Sequence, residues 1–235
     1  MKMIRNLIFS IFFFIGIIII SLVFLPAFFL PQKIILFGGK IMGYWAEFCL
    51  KFFLSTKIEI KGEENIIENE KFFIAASHQS MFETFFLQTV FNSPVFILKK
   101  ELLSIPIFGW YLRKIGSISI KRNKVSKDNL SFYDDIIKII SKSNRPLIIF
   151  PQGTRVLPNE RPPFKKGASR IYEELKIKCQ PLAINSGYVW PKKGGKNSNR
   201  TITISILKPI EPGLSKNEFI QNLENKIYSE LDLLN

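Results

Sequence analysis

Residues 72 to 83 have the sequence FFIAASHQSMFE, and this stretch decides the fold. Its first five residues are apolar, and the polar residues Ser77, His78 and Gln79 follow them directly. A short apolar run bounded by polar residues is typical of a strand, and Glu83 lies where a helix is expected to begin. The stretch therefore predicts a strand, a polar turn and a helix, in that order.

Six other short apolar runs in the chain are also predicted to be strands. They lie at residues 57–60, 95–98, 117–120, 147–150, 181–185 and 201–207. Helical patterns lie between or after them, one over residues 130–140 and another that begins with the capping-box spacing of Ser215 and Glu218. This alternation predicts an α/β fold with a mixed sheet covered by helices.

The N-terminal residues are predicted to form a hydrophobic membrane anchor of two helices. No charged residue occurs from Leu7 to Leu30, and the run to Leu25 corresponds to a helix of about 28 Å, close to the thickness of a bilayer core. Lys2 and Arg5 precede this run, as they would in a secretory signal peptide. A retained anchor is favoured because the run is longer than usual and no small-residue cleavage site ends it.

The second part of the anchor, residues 34–54, has a different pattern. Its polar residues recur at helical spacing on one face, at Lys40, Tyr44, Glu47 and Lys51. The remaining face is apolar, with Phe37, Ile41, Trp45, Phe48 and Phe52. The pattern favours a helix at the membrane interface, and the alternative is an amphipathic helix docked on the soluble domain. We therefore divide the chain into an anchor at 1–54 and a second domain at 55–235.

The composition restricts the possible partners. A formal net charge of +14 draws the protein towards phosphate on nucleic acid, anionic lipid or a phosphorylated substrate. The hydrophobic N-terminus favours an anionic membrane, and the aromatic residues are not interleaved with the cations as nucleic-acid binding requires. Cys49 and Cys179 have no Cys or His at metal-ligand spacing, so we predict buried, unpaired thiols and no metal site.

The candidate catalytic residues are His78 and Glu83. His78 is the one histidine in the chain, and Glu83 follows it by five residues. A carboxylate can hold one ring nitrogen of an imidazole, so that the other nitrogen acts as a base. Taken alone, a histidine at the end of an apolar strand is more often a structural hydrogen-bonding residue than a catalyst.

The candidate phosphate-binding residues end two other predicted strands. Lys121 and Arg122 follow residues 117–120, and Gly153, Thr154 and Arg155 follow residues 147–150. Gly153 allows a tight turn, in which Thr154 and Arg155 can present a hydroxyl and a planar guanidinium to a phosphate. Taken alone, both are also ordinary solvated strand ends.

The order and spacing of these motifs along the chain resemble those of the four motif blocks of the glycerolipid acyltransferase family. The matching residues are His78 and Glu83; Gly116, Ile120 and Arg122; Phe150, Pro151, Gly153, Thr154 and Arg155; and Pro181 with Asn185, Ser186 and Gly187. The sequence departs from the family's pattern at two positions. Glu83 replaces the usual aspartate, and Gln152 replaces a glutamate.

The resemblance implies an enzyme that transfers an acyl group from acyl-CoA or acyl-carrier protein to the free hydroxyl of 1-acyl-sn-glycerol 3-phosphate, giving phosphatidic acid. His78, oriented by Glu83, would be the general base, without an acyl-enzyme. Arg122 and Arg155 would hold the phosphate with help from Lys121, while Gly153 and Thr154 shape its pocket. No metal or tightly bound cofactor is implied. Alternatives are another acceptor, such as glycerol 3-phosphate or a different lysolipid, and a non-catalytic lipid-binding membrane protein.

The need for a cytoplasmic thioester places the catalytic domain on the cytoplasmic face of the inner membrane. The positive residues Lys2 and Arg5 favour the same side for the N-terminus. Both conditions are met if the first helix enters the bilayer, turns near Pro26 to Pro31 and returns as the interfacial helix. The alternative is a full span with the N-terminus outside.

Overall fold

The computed structural model describes residues 2–120 and 132–234, and these form one seven-stranded sheet with covering helices. The strands are β1 (Lys57–Lys61), β2 (Phe72–Ala76), β3 (Val95–Lys99), β4 (Ile118–Ile120), β5 (Leu147–Ile149), β6 (Lys178–Ile184) and β7 (Thr201–Ile206). Their spatial order is β1-β7-β6-β2-β5-β3-β4. β6 and β7 are antiparallel and the other neighbours are parallel, so the sheet is mixed, as predicted.

The helices cover both faces of this sheet. They are α1 (Lys2–Val23), α2 (Gln32–Leu54), α3 (Phe82–Val90), α4 (Phe108–Lys114), α5 (Phe132–Lys142), α6 (Gly167–Leu175) and α7 (Lys216–Leu233). α1, α2 and α3 contribute to one hydrophobic core, and α5, α6 and α7 contribute to a second. The predicted helix-covered α/β fold is confirmed.

The predicted strands are all present, and the largest boundary difference is at β6. This strand begins at Lys178 rather than at residue 181. Cys179 pairs with Phe73 in β2 and exchanges two backbone hydrogen bonds with Ile210, at 3.0 and 2.8 Å. These bonds extend the strand on the N-terminal side of Pro181, which has no N–H to donate to a sheet.

The other local predictions agree with the structure. The Ser215 hydroxyl accepts from the Glu218 N–H and the Glu218 carboxylate accepts from the Ser215 N–H, which completes the capping box of α7. The predicted helix over 130–140 is α5, whose first two predicted positions lie outside the described residues. Cys49 and Cys179 are buried free thiols, as predicted.

Helix α2 docks on the domain through a face of small residues. An added Cβ at Gly43 would lie 2.7 Å from the Phe85 carbonyl oxygen, so α2 lies directly against α3. The predicted aromatic face points away from this contact, and Phe37, Phe48 and Phe52 are 56%, 48% and 69% exposed. The helix is therefore docked, as in the alternative interpretation, and it also presents an apolar face outwards; its place at a membrane interface stays a prediction.

Helix α1 is divided between the core and the surface. Phe9 and Phe13 are fully buried and contact Trp190 edge-on, at 5.1 and 4.9 Å between ring centroids. Most of its other large side chains are exposed, including Ile18 and Val23 at 57% and 66%. Among the described residues, α1 is the one helix long and apolar enough to cross a membrane. The two-helix anchor and its boundary at residue 54 stay predictions.

Candidate active site

His78 lies in the turn that leaves the carboxyl end of β2. β5 is a parallel neighbour of β2, so the loop after β5 reaches the same edge of the sheet. Residues of that loop form hydrogen bonds with both backbone groups of His78. The His78 N–H donates to Gln152 Oε1 at 2.8 Å, and the His78 carbonyl accepts from the Val156 N–H at 2.9 Å.

These bonds explain what Gln152 does at the position where the family has glutamate. Its side chain is buried, and its contact with His78 requires an acceptor oxygen rather than a negative charge. An amide supplies that oxygen without the cost of burying a second carboxylate beside Glu83. Gln152 therefore supports the turn that carries His78.

Glu83 approaches the imidazole of His78 from the first turn of α3. Glu83 Oε2 is 3.7 Å from His78 Nδ1, which is longer than a hydrogen bond. Catalytic contacts of this type often tighten when substrate binds. His78 Nδ1 is buried and has no hydrogen-bond partner among the residues that the structure describes, and the Glu83 carboxylate faces it. The geometry fits the predicted orienting role, which itself stays a prediction.

The ring of His78 is fixed by packing as well as by its backbone. It stacks on Phe150, with 4.0 Å between centroids and 19° between planes. Its side chain is 15% exposed although Nδ1 is buried, and the residue lines a cavity of about 440 Å³.

The lining of this cavity is polar where the turns after β2 and β5 reach it, at His78, Thr154 and Arg155, with Lys192 of the 191–200 stretch; we call this part the polar end and the rest the apolar end. Thr84, Gln88, Lys99 and Ser117 are further polar residues of the lining. Most of the remaining lining is apolar and comes from α2, α3, β3, α4 and the α1–α2 connection: Phe24, Ile35, Met42, Phe85, Phe96, Leu98, Phe108, Leu112 and Ile115. Its volume lies within the range of small-ligand sites.

The loop that carries Thr154 and Arg155 turns at Gly153. Gly153 has a φ of +74°, which an L side chain rarely adopts, and its N–H donates to the Phe150 carbonyl at 2.9 Å. The turn places the next two residues on the cavity that His78 borders. The structure thus brings four predicted residues together around His78: Glu83, Gly153, Thr154 and Arg155.

The second motif block reaches the same cavity only in part. Gly116, with a φ of +79°, turns the chain from α4 towards β4, and Ser117 lines the cavity. Ile120, the last residue of β4, pairs with Lys99, which also lines the cavity. The predicted phosphate ligands Lys121 and Arg122 lie outside the described residues.

The fourth block supports the catalytic turn from the other side, through β6. The Gly187 N–H donates to Gln79 Oε1 at 3.1 Å, and the Ser186 hydroxyl donates to Glu83 Oε1 at 2.5 Å. Sequence reasoning assigned this block to a core strand and missed these contacts. The sequence feature that could have indicated these contacts is the run of turn-forming residues Asn-Ser-Gly at 185–187.

Lys192 was also missed as a residue of the site. Residues 191–200, PKKGGKNSNR, are a basic stretch rich in turn-forming residues, but nothing in its spacing indicates that Lys192 borders the cavity of His78. Among the described residues, no three His, Cys, Asp or Glu side chains lie together in a way that would hold a metal ion. That no metal or cofactor takes part stays a prediction.

Tyr228 of α7 holds the far part of the loop that carries Arg155. Its hydroxyl donates to the Pro162 carbonyl at 2.5 Å, and its ring contacts Phe164 at 4.9 Å. Burial raises the pKa of Tyr228 to about 12, so the hydroxyl keeps its donor proton at physiological pH.

The chain is similar in sequence to a protein family and to several known enzymes. Residues 57–185 match the protein family described as Acyltransferase. The 1-acyl-sn-glycerol-3-phosphate acyltransferase of Pseudomonas aeruginosa is 32% identical over 167 residues, which cover 69% of this chain and 63% of that protein. The enzyme of the same name from Helicobacter pylori is 30% identical over 185 residues, 77% of each chain.

Two further comparisons concern length and fold. The 1-acyl-sn-glycerol-3-phosphate acyltransferase of Saccharomyces cerevisiae is 30% identical, and this chain spans 62% of its length. This chain thus spans less than two thirds of the Pseudomonas and yeast relatives. The crystal structure of the 1-acyl-sn-glycerophosphate acyltransferase of Thermotoga maritima superposes with a TM-score of 0.81 at 23% identity, covering 100% of this chain and 98% of that one. This match shows the fold.

Proposed function

This chain belongs to the acyltransferase family, and we propose that it transfers an acyl group from a thioester to the free hydroxyl of 1-acyl-sn-glycerol 3-phosphate, giving phosphatidic acid. The observation that carries the proposal is the cavity with His78, Thr154 and Arg155 at one end and apolar side chains along the rest. A lysophosphatidic acid likewise has a charged phosphate at one end and an apolar acyl chain, and an acyl thioester also carries an apolar chain on a polar group. Relatives of the same family carry the name of this activity.

His78 acts as the general base in the proposed reaction. The ring nitrogen that does not face Glu83 accepts the proton of the acceptor hydroxyl while the hydroxyl oxygen attacks the thioester carbonyl. The carbon–sulfur bond then breaks, and the proton on His78 passes to the leaving thiolate. Glu83 keeps Nδ1 protonated and stabilises the imidazolium that forms. The acyl group passes directly from donor to acceptor, so no acyl-enzyme is needed.

The phosphate of the acceptor binds at the polar end of the cavity. Arg155 offers a planar guanidinium that matches two phosphate oxygens, and the Thr154 hydroxyl offers one more donor. Lys192 adds a positive charge at the same end. We assign Arg122 and Lys121 to the same role because they follow β4, whose neighbour in the sheet, β3, lines the cavity.

The donor is an acyl-CoA or an acylated carrier protein. A thioester is already activated, so positioning and base catalysis provide the required chemistry without a metal or bound cofactor. The apolar part of the cavity then holds an acyl chain between α2, α3 and α4. Burial of each methylene contributes about 0.8 kcal/mol to binding.

We assign the protein to the cytoplasmic face of the inner membrane, anchored by α1 and α2. The start of α1 lies beside the 191–200 loop of the larger domain. Lys2 Nζ donates to Asn197 Oδ1 at 2.8 Å, and Lys196 Nζ donates to the Ser10 hydroxyl at 2.9 Å. These contacts support an N-terminus on the same side of the membrane as the active site, as in the re-entrant arrangement.

Cysteine accessibility tests this arrangement. Met3→Cys and Asn197→Cys place thiols on the two neighbouring segments, while the native Cys49 and Cys179 are buried. We expect a membrane-impermeant reagent to label both new thiols only from the cytoplasmic side. Labelling from opposite sides would show a full span instead.

An acceptor panel tests the proposed reaction. The purified chain in anionic vesicles is given labelled acyl-CoA or acyl-carrier protein with lysophosphatidic acid, glycerol 3-phosphate or lysophosphatidylcholine. We expect labelled phosphatidic acid to be the main product. A main product from another acceptor would change the substrate assignment, and no product with any acceptor would favour a lipid-binding protein.

A further inference from the structure

We propose that Ser186 is a positioning residue that fixes the orientation in which the Glu83 carboxylate turns one oxygen towards His78. The proposal rests on the proposed function, because it concerns the orientation of the base in that reaction. Ser186 begins a 3₁₀ turn, Ser186–Tyr188, directly after β6. β6 is a parallel neighbour of β2, so this turn meets the turn of His78 at one edge of the sheet.

The two oxygens of Glu83 have different surroundings. Oε1 accepts from the Ser186 hydroxyl at 2.5 Å and from the Gln79 and Ser80 N–H groups at 3.0 Å each. Oε2 accepts from the Ser80 N–H at 3.1 Å and lies 3.7 Å from His78 Nδ1. Three donors therefore hold Oε1, and Oε2 is left for the imidazole.

Burial restricts Glu83 and Ser186 to hydrogen-bond partners within the protein. Glu83 and Ser186 are both fully buried, so neither group exchanges its partner for water. Burying a carboxylate is costly unless hydrogen-bond donors replace the water that it loses. The backbone of Ser186 is fixed in turn, because its carbonyl accepts from the Val189 and Trp190 N–H groups at 3.1 and 2.9 Å. The hydroxyl thus has a defined position from which to hold Glu83.

The hydroxyl also offsets the replacement of the family's aspartate by glutamate. Glu83 has one more rotatable bond than aspartate, so its carboxylate has more orientations relative to the helix that carries it. The hydrogen bond from Ser186 selects the orientation in which Oε2 faces His78 Nδ1. Loss of this bond is expected to disorder Glu83 and lower the fraction of His78 that carries its proton on Nδ1.

Ser186→Ala tests the proposal, with Ser205→Ala as a matched control. Ser205 is a buried serine of β7 whose hydroxyl also donates to a glutamate, Glu230 Oε1, at 2.5 Å. We expect Ser186→Ala to lower kcat by about 10- to 150-fold with an unchanged KM, as for the loss of one hydrogen bond to a charged group. Ser205→Ala should lose thermal stability but keep its kcat.

A double variant separates positioning from a general effect on the fold. In a Glu83→Ala background the hydroxyl of Ser186 has no carboxylate to hold, so Ser186→Ala should cause no further loss of kcat. An equal loss in both backgrounds would overturn the proposal. If Ser186→Ala does not fold, Ser186→Cys preserves the volume with a weaker donor and should show a smaller loss of the same kind.

Nitrogen-15 NMR of the imidazole gives a readout that needs no substrate. The chain has one histidine, so every imidazole signal of tag-free protein belongs to His78. We expect Ser186→Ala to lower the population of the Nδ1-protonated tautomer and Ser205→Ala to leave it unchanged. An unchanged tautomer in Ser186→Ala would overturn the proposal. If the tautomer shifts but no acceptor is acylated, the proposed function fails and the positioning role is retained.

Discussion

The two ends of the cavity beside His78 are built in different ways. The polar end is formed by turns after β2 and β5, which buried hydrogen bonds hold in place, such as His78 N–H to Gln152. The apolar end is formed mainly by side chains of helices, together with Phe96 and Leu98 of β3, and its contacts are non-directional. We infer that the polar end carries out the reaction and binds the acceptor phosphate, and that the apolar end selects the acyl chain. Substitutions at the polar end should therefore affect all chain lengths alike, and substitutions at the apolar end should affect long chains most.

The largest effect is expected for His78→Ala at the polar end. Loss of a general base typically lowers the rate by about 10² to 10⁴, and no second histidine exists in this chain to replace it. Turnover and thermal melting are measured on the same preparation. We expect turnover to be lost while the melting temperature changes little. Turnover close to that of the unmodified chain would mean that His78 is not the base.

Glu83→Ala is expected to have the next largest effect. It removes the one group that faces Nδ1, and we expect a loss of about 10- to 150-fold in kcat, as for a hydrogen bond to a charged group. Glu83→Asp keeps the carboxylate and should keep much of the activity. Full activity of Glu83→Ala in the same assay would refute the orienting role.

Arg155→Ala tests the binding function of the polar end. We expect it to raise the KM for the phosphorylated acceptor by about 10- to 150-fold, with a smaller effect on the thioester. Arg155→Lys should recover only part, because a point charge cannot match the bidentate guanidinium. Arg200→Ala removes an exposed charge outside the cavity and serves as control. Equal acceptor kinetics in Arg155→Ala and Arg200→Ala would place the phosphate elsewhere.

The smallest effect is expected at the apolar end. Leu112→Phe enlarges a side chain that lines the cavity, so it should lower kcat/KM for the longest acyl chains by about fourfold per methylene excluded. Short chains should react as before. Leu175→Phe makes the same change on the opposite side of the sheet and is the control. Equal loss for all chain lengths in Leu112→Phe would show that the apolar end does not select the chain.

The sequence predicts the polar end of the cavity better than the apolar end. The apolar runs predict every strand, and the parallel order of β2 and β5 brings the predicted His78 and Arg155 to one cavity. The bond from Ser186 to Glu83 joins residues 103 positions apart, and no local pattern encodes such a contact. The departure at Gln152 is likewise understood only once its oxygen is seen to accept from His78.

The apolar end depends on how helices dock, which periodicity alone does not determine. The pattern of residues 34–54 separates a polar from an aromatic face, yet α2 lies directly against α3 at two small residues, Gly39 and Gly43. Small residues allow close helix contact whatever their hydrophobicity, so a hydrophobic pattern understates their role. The short helix α4, which lines the same end, was not predicted.

Direct transfer between two bound substrates is the central claim, and intact-protein mass spectrometry tests it. The chain is incubated with acyl-CoA alone, its mass is recorded over time, and lysophosphatidic acid is then added. We expect the protein to gain no acyl mass before the acceptor arrives and phosphatidic acid to form afterwards. An acyl adduct that forms with the donor alone, and decays at the turnover rate once the acceptor is added, would contradict the account.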